Sequence, residues 1–348
     1  MSFLSLHIDA GRHAAFESHR HRPLRYDKAM RCWNVTDPAQ VLHLLRSPAL
    51  VCKEIAGPLA AVGERFGETF PNTEFLVRNM PLMNEGENHL PMRRRMAAFL
   101  AARRLPMQEP LRRMVAEHLA PLNAPGEYEL VGTCLLPLVR SFFTELVRSS
   151  ERVPFRQVTI TRIFDRYLSL DMLRQVEAEV TELRSIVARG CPDAVAAGEE
   201  DMYVGLFTLG RDSLLATMAE SLAMTLGAHL GKPLNQVGFA DHPNETGVAI
   251  AERVAAQPIS VGGAEIKTGD WVRLFLQSLN YSERLVVQKL VFGAGAHSCL
   301  GRQLSLDIWP LVTAQFAALP WRVAAVDRDY LKNHTFAMPA YVRIELTD

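Results

Sequence analysis

The ten residues Phe292-Gly293-Ala294-Gly295-Ala296-His297-Ser298-Cys299-Leu300-Gly301 carry the densest chemistry in the chain. They form a glycine-rich loop that ends in a cysteine and runs straight into an amphipathic helix. A cysteine just ahead of a helix has its thiolate stabilised by the positive end of the helix dipole and by nearby amide N–H groups. Glycines at 293, 295 and 301 let the backbone approach a flat cofactor and take up conformations closed to other residues. Thiolate is also the iron ligand that pushes electron density onto bound oxygen and favours O–O cleavage. A structural cysteine at a turn would explain one cysteine and one glycine, but not the whole run.

The segment resembles the cysteine loop of the cytochromes P450, F-x-x-G-x-H-x-C-x-G, at every specified position: Phe292, Gly295, His297, Cys299 and Gly301. The resemblance implies a mainly α fold with a small β region. It also implies a haem b (iron protoporphyrin IX) whose iron is ligated by Cys299. Phe292 would pack beside the sulfur, Gly293 and Gly301 would lie against the cofactor, and His297 would point to a haem propionate.

A haem buried with its carboxylates unpaired would be costly, so the chain should supply cations. His89-Leu90-Pro91-Met92-Arg93 resembles the family's H-x-x-x-R, in which i and i+4 put both cations on one helix face. Arg253-Val254-Ala255, followed by Gly262 to Val272, resembles the arginine-led strand and the G-x-x-I-x-x-G-x-x-V hairpin after it. Leu209-Gly210-Arg211-Asp212-Ser213, inside the apolar run Met202 to Leu230, resembles the A-G-x-D/E-T segment of the helix that crosses the haem. An acid beside a hydroxyl, where a helix can open locally, makes a proton-delivery chain. Asp212 and Ser213 are accordingly the catalytic candidates.

One family feature is missing. The buried E-x-x-R ion pair should lie shortly before Pro243, but counting back finds Gln236 and Phe239, and Glu245-Thr246-Gly247-Val248 lacks the arginine. The stretch between the hairpin and the cysteine loop has shrunk to about Asn280 to Leu290. The chain resembles a trimmed member of the family.

The elements that must position these groups are mostly helical. Apolar residues recur every three or four positions in Asp37–Arg46, Leu90–Arg104, Leu111–Leu119 and Leu173–Arg189, and again from Gly301 to about Leu319. Short extended runs are expected at 265–267 and 271–276 around Thr268-Gly269-Asp270, and in the tail Ala340 to Leu346. We expect one domain over 1–348, with a helical bulk at about 36–230 and a small sheet, cysteine loop and last long helix at about 245–348.

Apolar residues make up 48% of the 348 positions, enough for a large core, and 38 Lys+Arg balance 38 Asp+Glu. That balance gives no reason to expect nucleic acid or an anionic membrane as partner. Met1 to Arg20 does not read as a signal peptide. No run approaches ~20 apolar residues, so a cytoplasmic protein is expected. Cys32, Cys52, Cys134, Cys191 and Cys299 never pair at C-x-x-C spacing. Cys52 and Cys134 read as packing residues in apolar surroundings, and Cys191-Pro192 as packing or surface.

The resemblance implies an oxidoreductase that carries out O2-dependent monooxygenation of a small organic substrate in secondary or specialised metabolism. The substrate pocket would be formed by Leu206, Phe207, Leu209, Ser213, a loop Phe75-Leu76-Val77, Thr246 to Ile250 and Phe336-Ala337-Met338. Arg93, Arg94, Arg95, Arg103, Arg104 and Arg302 suggest a basic face for an acidic ferredoxin or flavodoxin. Two rivals stand beside this reading: a peroxide-driven oxygenase or haem-thiolate isomerase or dehydratase, and a non-catalytic haem-binding protein.

Overall fold

The computed structural model describes residues 23–151, 160–165, 168–276, 291–331 and 335–348. Met1 to Arg20 and Asn280 to Leu290 lie outside them. The first helix, α1 (Pro38–Leu45), starts where its sequence signals it: Asp37 caps it by accepting the Gln40 N–H at 2.8 Å, and Pro38 occupies the first turn. Next come α2 (Ala56–Phe66), α3 (Pro71–Asn79), α4 (His89–Arg104), α5 (Gln108–Leu119) and α6 (Leu136–Val147). The helix α7 (Leu170–Gly190), capped by Ser169, is followed by the short α8 (Pro192–Ala196).

The central element is a rod built from α9 (Glu200–Gly205), a π-helical turn (Leu206–Gly210) and α10 (Arg211–Gly227). Fourteen residues of α10 are buried and they lie on every face. A helix with no polar stripe belongs inside a core, and α10 packs against α6 and the C-terminal strands. The last helix, α11 (Arg302–Ala318), starts directly after the cysteine loop and packs against α5.

The β region is more extensive than the sequence suggests. The strands β1 (Leu24–Asp27), β2 (Cys32–Val35), β3 (Leu50–Val51), β5 (Ile250–Ala255) and β8 (Trp271–Phe275) form one sheet in the order β1-β2-β8-β5-β3. Its β2–β8 pair is parallel and the others antiparallel. A second sheet joins β4 (Gly126–Glu129), β10 (Pro339–Thr347) and β9 (Arg322–Tyr330), and β6 (Ile259–Val261) pairs with β7 (Ala264–Ile266). The runs on either side of Thr268-Gly269-Asp270 therefore belong to different sheets. The short N-terminal strands were not foreseen, because strands of two to four residues leave no measurable periodicity.

One backbone contact fixes the rod next to the site. At Gly247 an added Cβ would lie 2.5 Å from Ala216 Cβ, 2.8 Å from Thr217 N and 2.9 Å from Ser213 O. Gly247 N–H donates to Thr217 Oγ1 at 2.9 Å and Ala337 N–H to Gly247 O at 2.9 Å. Gly247→Ala is expected to cost about 1–3 kcal/mol through overpacking, seen as a lower urea midpoint at unchanged slope. Gly227→Ala, where no atom lies within 4 Å of the added carbon, should leave the midpoint level or slightly higher. Equal losses in the two variants would contradict this account.

Candidate functional site

The cysteine loop is closed by its own backbone. Cys299 N–H donates to Phe292 O at 2.7 Å, Ser298 N–H to Gly295 O at 3.2 Å, and Gly295–His297 forms a single 3₁₀ turn. Gly293 and Gly295 have φ of 69° and 75°, the left-handed region that favours glycine. A Cβ on Gly295 would also sit 2.3 Å from Leu45 O, so the loop lies directly on the end of α1. The Cys299 sulfur opens into a cavity while protein surrounds it on its other sides. Burial pushes its thiol up; hydrogen bonds from the Gly301 and Arg302 amides and the charges of Arg93 and Arg302 pull the other way. These amides open α11, as expected for a cysteine at a helix start.

The cavity holds about 330 Å³ and runs from Cys299 to the rod. At the cysteine end its wall includes Phe292, Gly293, His297, Gly301, Arg93 and Arg253. Arg93 Nη2 donates to Ser298 O at 2.7 Å, and Arg253 Nη1 donates to the Glu252 carbonyl at 2.8 Å. Among the described residues neither guanidinium faces a carboxylate, because the Glu252 carboxylate is taken by Arg273 at 2.7 Å across the β5–β8 pair. His89 stacks on His297 with ring centroids 4.3 Å apart and does not itself line the cavity. Burial lowers the His89 pKa, and the neighbouring His297 and Arg93 lower it further. His89 Nε2 and His297 Nδ1 are both buried and, among the described residues, have no hydrogen-bond partner.

His297 Nε2 lies 2.9 Å from Glu85 Oε1 and 3.4 Å from Cys52 Sγ. Burial opposes ionisation of Glu85, but the His297 and Cys52 hydrogen bonds outweigh it and bring that carboxyl down to about 2. Burial pushes the Cys52 thiol up to about 12. Cys52 is thus part of a polar cluster rather than in the apolar surroundings expected. Cys134 does sit in the apolar core, and Cys191 is buried at the α7–α8 junction. Nothing in the sequence marked Glu85, which lies in a non-helical stretch before α4.

At the far end Ser213 lines the cavity and Asp212 does not. The Ser213 hydroxyl donates to Leu209 O at 2.6 Å, a carbonyl in the π-helical turn where regular helical bonding is interrupted. Asp212 is buried against Arg211, with Nε to Oδ1 at 2.8 Å. Burial raises its pKa and Arg211 works against that rise.

The remaining wall is apolar and includes Phe143, Leu206, Leu209, Val248, Ile250 and Phe336. Three expectations need correction. Phe75, Leu76 and Val77 are helical, inside α3, and do not line the cavity. Phe207 turns toward Phe143 in the core, and Ala337 and Met338 are buried elsewhere.

The basic face is also smaller than the arginine count implies. Arg95 pairs with Asp201, Arg104 pairs with Asp307 at 2.6 Å, and Arg103 lies over the Phe99 ring and donates to Tyr203. On α4 only Arg94 is exposed and, among the described residues, without such a contact. No pair takes the E-x-x-R position: Gln236 ends a short 3₁₀ turn, Phe239 packs on Phe316, and the backbone of Glu245 is bound to Ser221. Among the described residues no helix is long and apolar enough to cross a membrane.

A thiol facing a cavity, with two guanidinia that face no carboxylate and two imidazole nitrogens that lack a partner among the described residues, fits a metal-bearing cofactor with carboxylates. No protein-family model matches the sequence, and no curated protein matches it. Solved structures do. The chain is similar to CalO2 at 18% identity, with 99% of each chain covered and a TM-score of 0.75. P450BioI, in complex with an acyl carrier protein ligated to hexadec-9Z-enoic acid, matches at 14% identity over 96% of this chain and 98% of that one, TM-score 0.75. The versatile cytochrome P450 enzyme CYP109B1 from Bacillus subtilis matches at 17% identity over 95% and 98%, TM-score 0.68. The mainly α chain with its small sheets therefore has the cytochrome P450 fold.

Proposed function

We propose that the chain binds haem b through Cys299 and catalyses the O2-dependent monooxygenation of a small, apolar organic compound. One observation carries the reading: the residues Cys299, Arg93, Arg253 and Ser213 all belong to the wall of one cavity, and neither arginine faces a carboxylate among the described residues. Haem, when bound, supplies the iron centre that activates dioxygen, and thiolate ligation favours O–O cleavage.

The protein's own groups would do the rest. Cys299 offers the ligand sulfur, with the Gly301 and Arg302 amides stabilising its negative charge. Arg93, Arg253 and His297 would hold the two carboxylates, with His89 backing the His297 ring from outside the cavity, and Phe292, Gly293 and Gly301 shape the wall beside the sulfur. The leucines and phenylalanines of the far wall bind an apolar substrate and exclude water. Ser213 holds a proton at Oγ on the cavity surface, and Asp212 lies behind it as the acid. Asp212 is engaged with Arg211, so replenishing that proton requires the carboxylate to turn away from the guanidinium.

In this reading electrons come from a ferredoxin or flavodoxin, docking by charge near Arg94 and Arg302. A second reading, peroxide-driven oxygenation, is favoured by the same basic face. Asp201 and Asp307 neutralise two of its arginines, leaving little charge to attract an acidic partner. Hemin-loaded protein should oxidise an apolar test compound with NADPH, ferredoxin reductase, ferredoxin and O2, at a rate that falls as salt rises. Turnover with hydrogen peroxide but none with the reductase system would replace the first reading by the second. Turnover with neither would leave a non-catalytic haem protein.

Ser213→Ala should bind hemin as the parent does and form about tenfold less product per O2 consumed. An unchanged product yield would remove Ser213 and Asp212 from the proposed proton path.

A further inference from the structure

Glu85 belongs to no motif read from the sequence, yet one of its carboxylate oxygens joins three segments far apart in the chain. Oε1 accepts the Cys52 N–H at 2.7 Å, just past β3, and hydrogen-bonds His297 Nε2 at 2.9 Å inside the cysteine loop; Glu85 itself precedes α4. Bonds to an ionised, partly buried carboxylate are stronger than neutral ones.

The same three residues could be taken for a metal site, since Cys52, Glu85 and His297 each offer a ligand atom and these lie within 4.8 Å of one another. Their surroundings argue against it. Arg93 and Arg253 line the adjoining cavity, so an entering cation meets positive charge. It would also have to displace the proton of a thiol that burial disfavours as an anion. Read as hydrogen bonds, the cluster is already satisfied at the Glu85 carboxylate, whose donors are the Cys52 main-chain amide, the His297 ring and the Cys52 thiol.

Among the described residues the loop's other polar tie to its surroundings is Arg93 to Ser298 O, beside the His89 ring on His297, the close seat of Gly295 on Leu45 and the packing of Ala294 in the apolar cluster that includes Leu45. No buried ion pair stands at the E-x-x-R position to help hold it. We propose that Glu85 is the positioning residue for the cysteine loop, its carboxylate pinning His297 to the Cys52 backbone and so holding Cys299, two residues on, in its direction toward the cavity. The consequence for cofactor binding rests on the haem reading above; the pinning of the loop does not.

The test uses the full chain as wild type, Glu85→Ala, Glu85→Asp and Cys52→Ala. Three quantities are measured: transfer of hemin to apomyoglobin, the fraction of the ferrous carbon monoxide complex with the far-red Soret band of thiolate ligation, and amide hydrogen exchange across 292–301 in cofactor-free protein. Glu85→Ala should release hemin about tenfold faster or more, lower the far-red fraction and speed loop exchange. Glu85→Asp should recover part of each. Cys52→Ala should lose clearly less than Glu85→Ala, because it removes only the thiol's bond and the main-chain N–H remains.

Unchanged hemin release and loop exchange in Glu85→Ala would overturn the proposal. So would Cys52→Ala losses as large as those of Glu85→Ala, which would point to the thiol and to a bound metal. If wild type takes up no hemin, the haem reading falls, and loop exchange alone decides the role of Glu85. Should Glu85→Ala fail to fold, Glu85→Gln, which keeps an acceptor oxygen but loses the charge, should fall between wild type and the alanine effect; wild-type behaviour there would overturn the proposal.

Discussion

Positive charge without a counter-ion, gathered around a sulfur at one end of an apolar cavity, is the constraint on which the rest of this structure depends. Arg93 and Arg253 are drawn from a helix and a strand far apart in sequence, and neither meets a carboxylate among the described residues. Leaving such groups uncompensated is expensive. Among the described residues Glu252 is engaged with Arg273 and Glu85 with His297. An anionic group entering this end of the cavity would meet both guanidinia.

Each major element can be understood by what it contributes to that cavity. α4 brings Arg93 and the stacking ring of His89; β5 brings Arg253; the cysteine loop, seated on α1, brings His297 and Cys299. The rod crosses at the far side, and its π-helical turn leaves the Leu209 carbonyl to be satisfied by Ser213. Gly247 lets the loop after α10 press against the rod, so that Ser213 is held from behind as well as along its own helix.

The parts of this arrangement that were legible in the sequence are those that repeat or that need rare residues. The long helices announced themselves by period and caps, as with Asp37-Pro38 before α1. The cysteine loop announced itself by its glycines, of which Gly293 and Gly295 have a positive φ that admits little else, while Gly301 has neither a positive φ nor a tight contact. What stayed hidden depends on contacts between distant segments. Glu85 and Cys52 are ordinary residues until folding puts them beside His297. The arginines of α4 looked like one basic face, but Asp201, Asp307 and Tyr203, one hundred or more positions away, absorb three of them. Phe75 to Val77 looked like cavity wall, but α3 turns Leu76 and Val77 into the core. The two-to-four-residue strands β1 to β3 are defined only by partners, β2 pairing with β8 some 240 residues later.

The central claim is that the cavity is built for a porphyrin whose iron meets the Cys299 sulfur. A crystal structure of hemin-loaded protein, phased on the anomalous signal of iron, tests it most directly. The account predicts one iron peak at bonding distance from Cys299 Sγ, about 2.3 Å by analogy with other metal–thiolate bonds, with the propionates among Arg93, Arg253 and His297. An iron held by another side chain, or hemin bound only on the outer surface with Cys299 unligated, would contradict it.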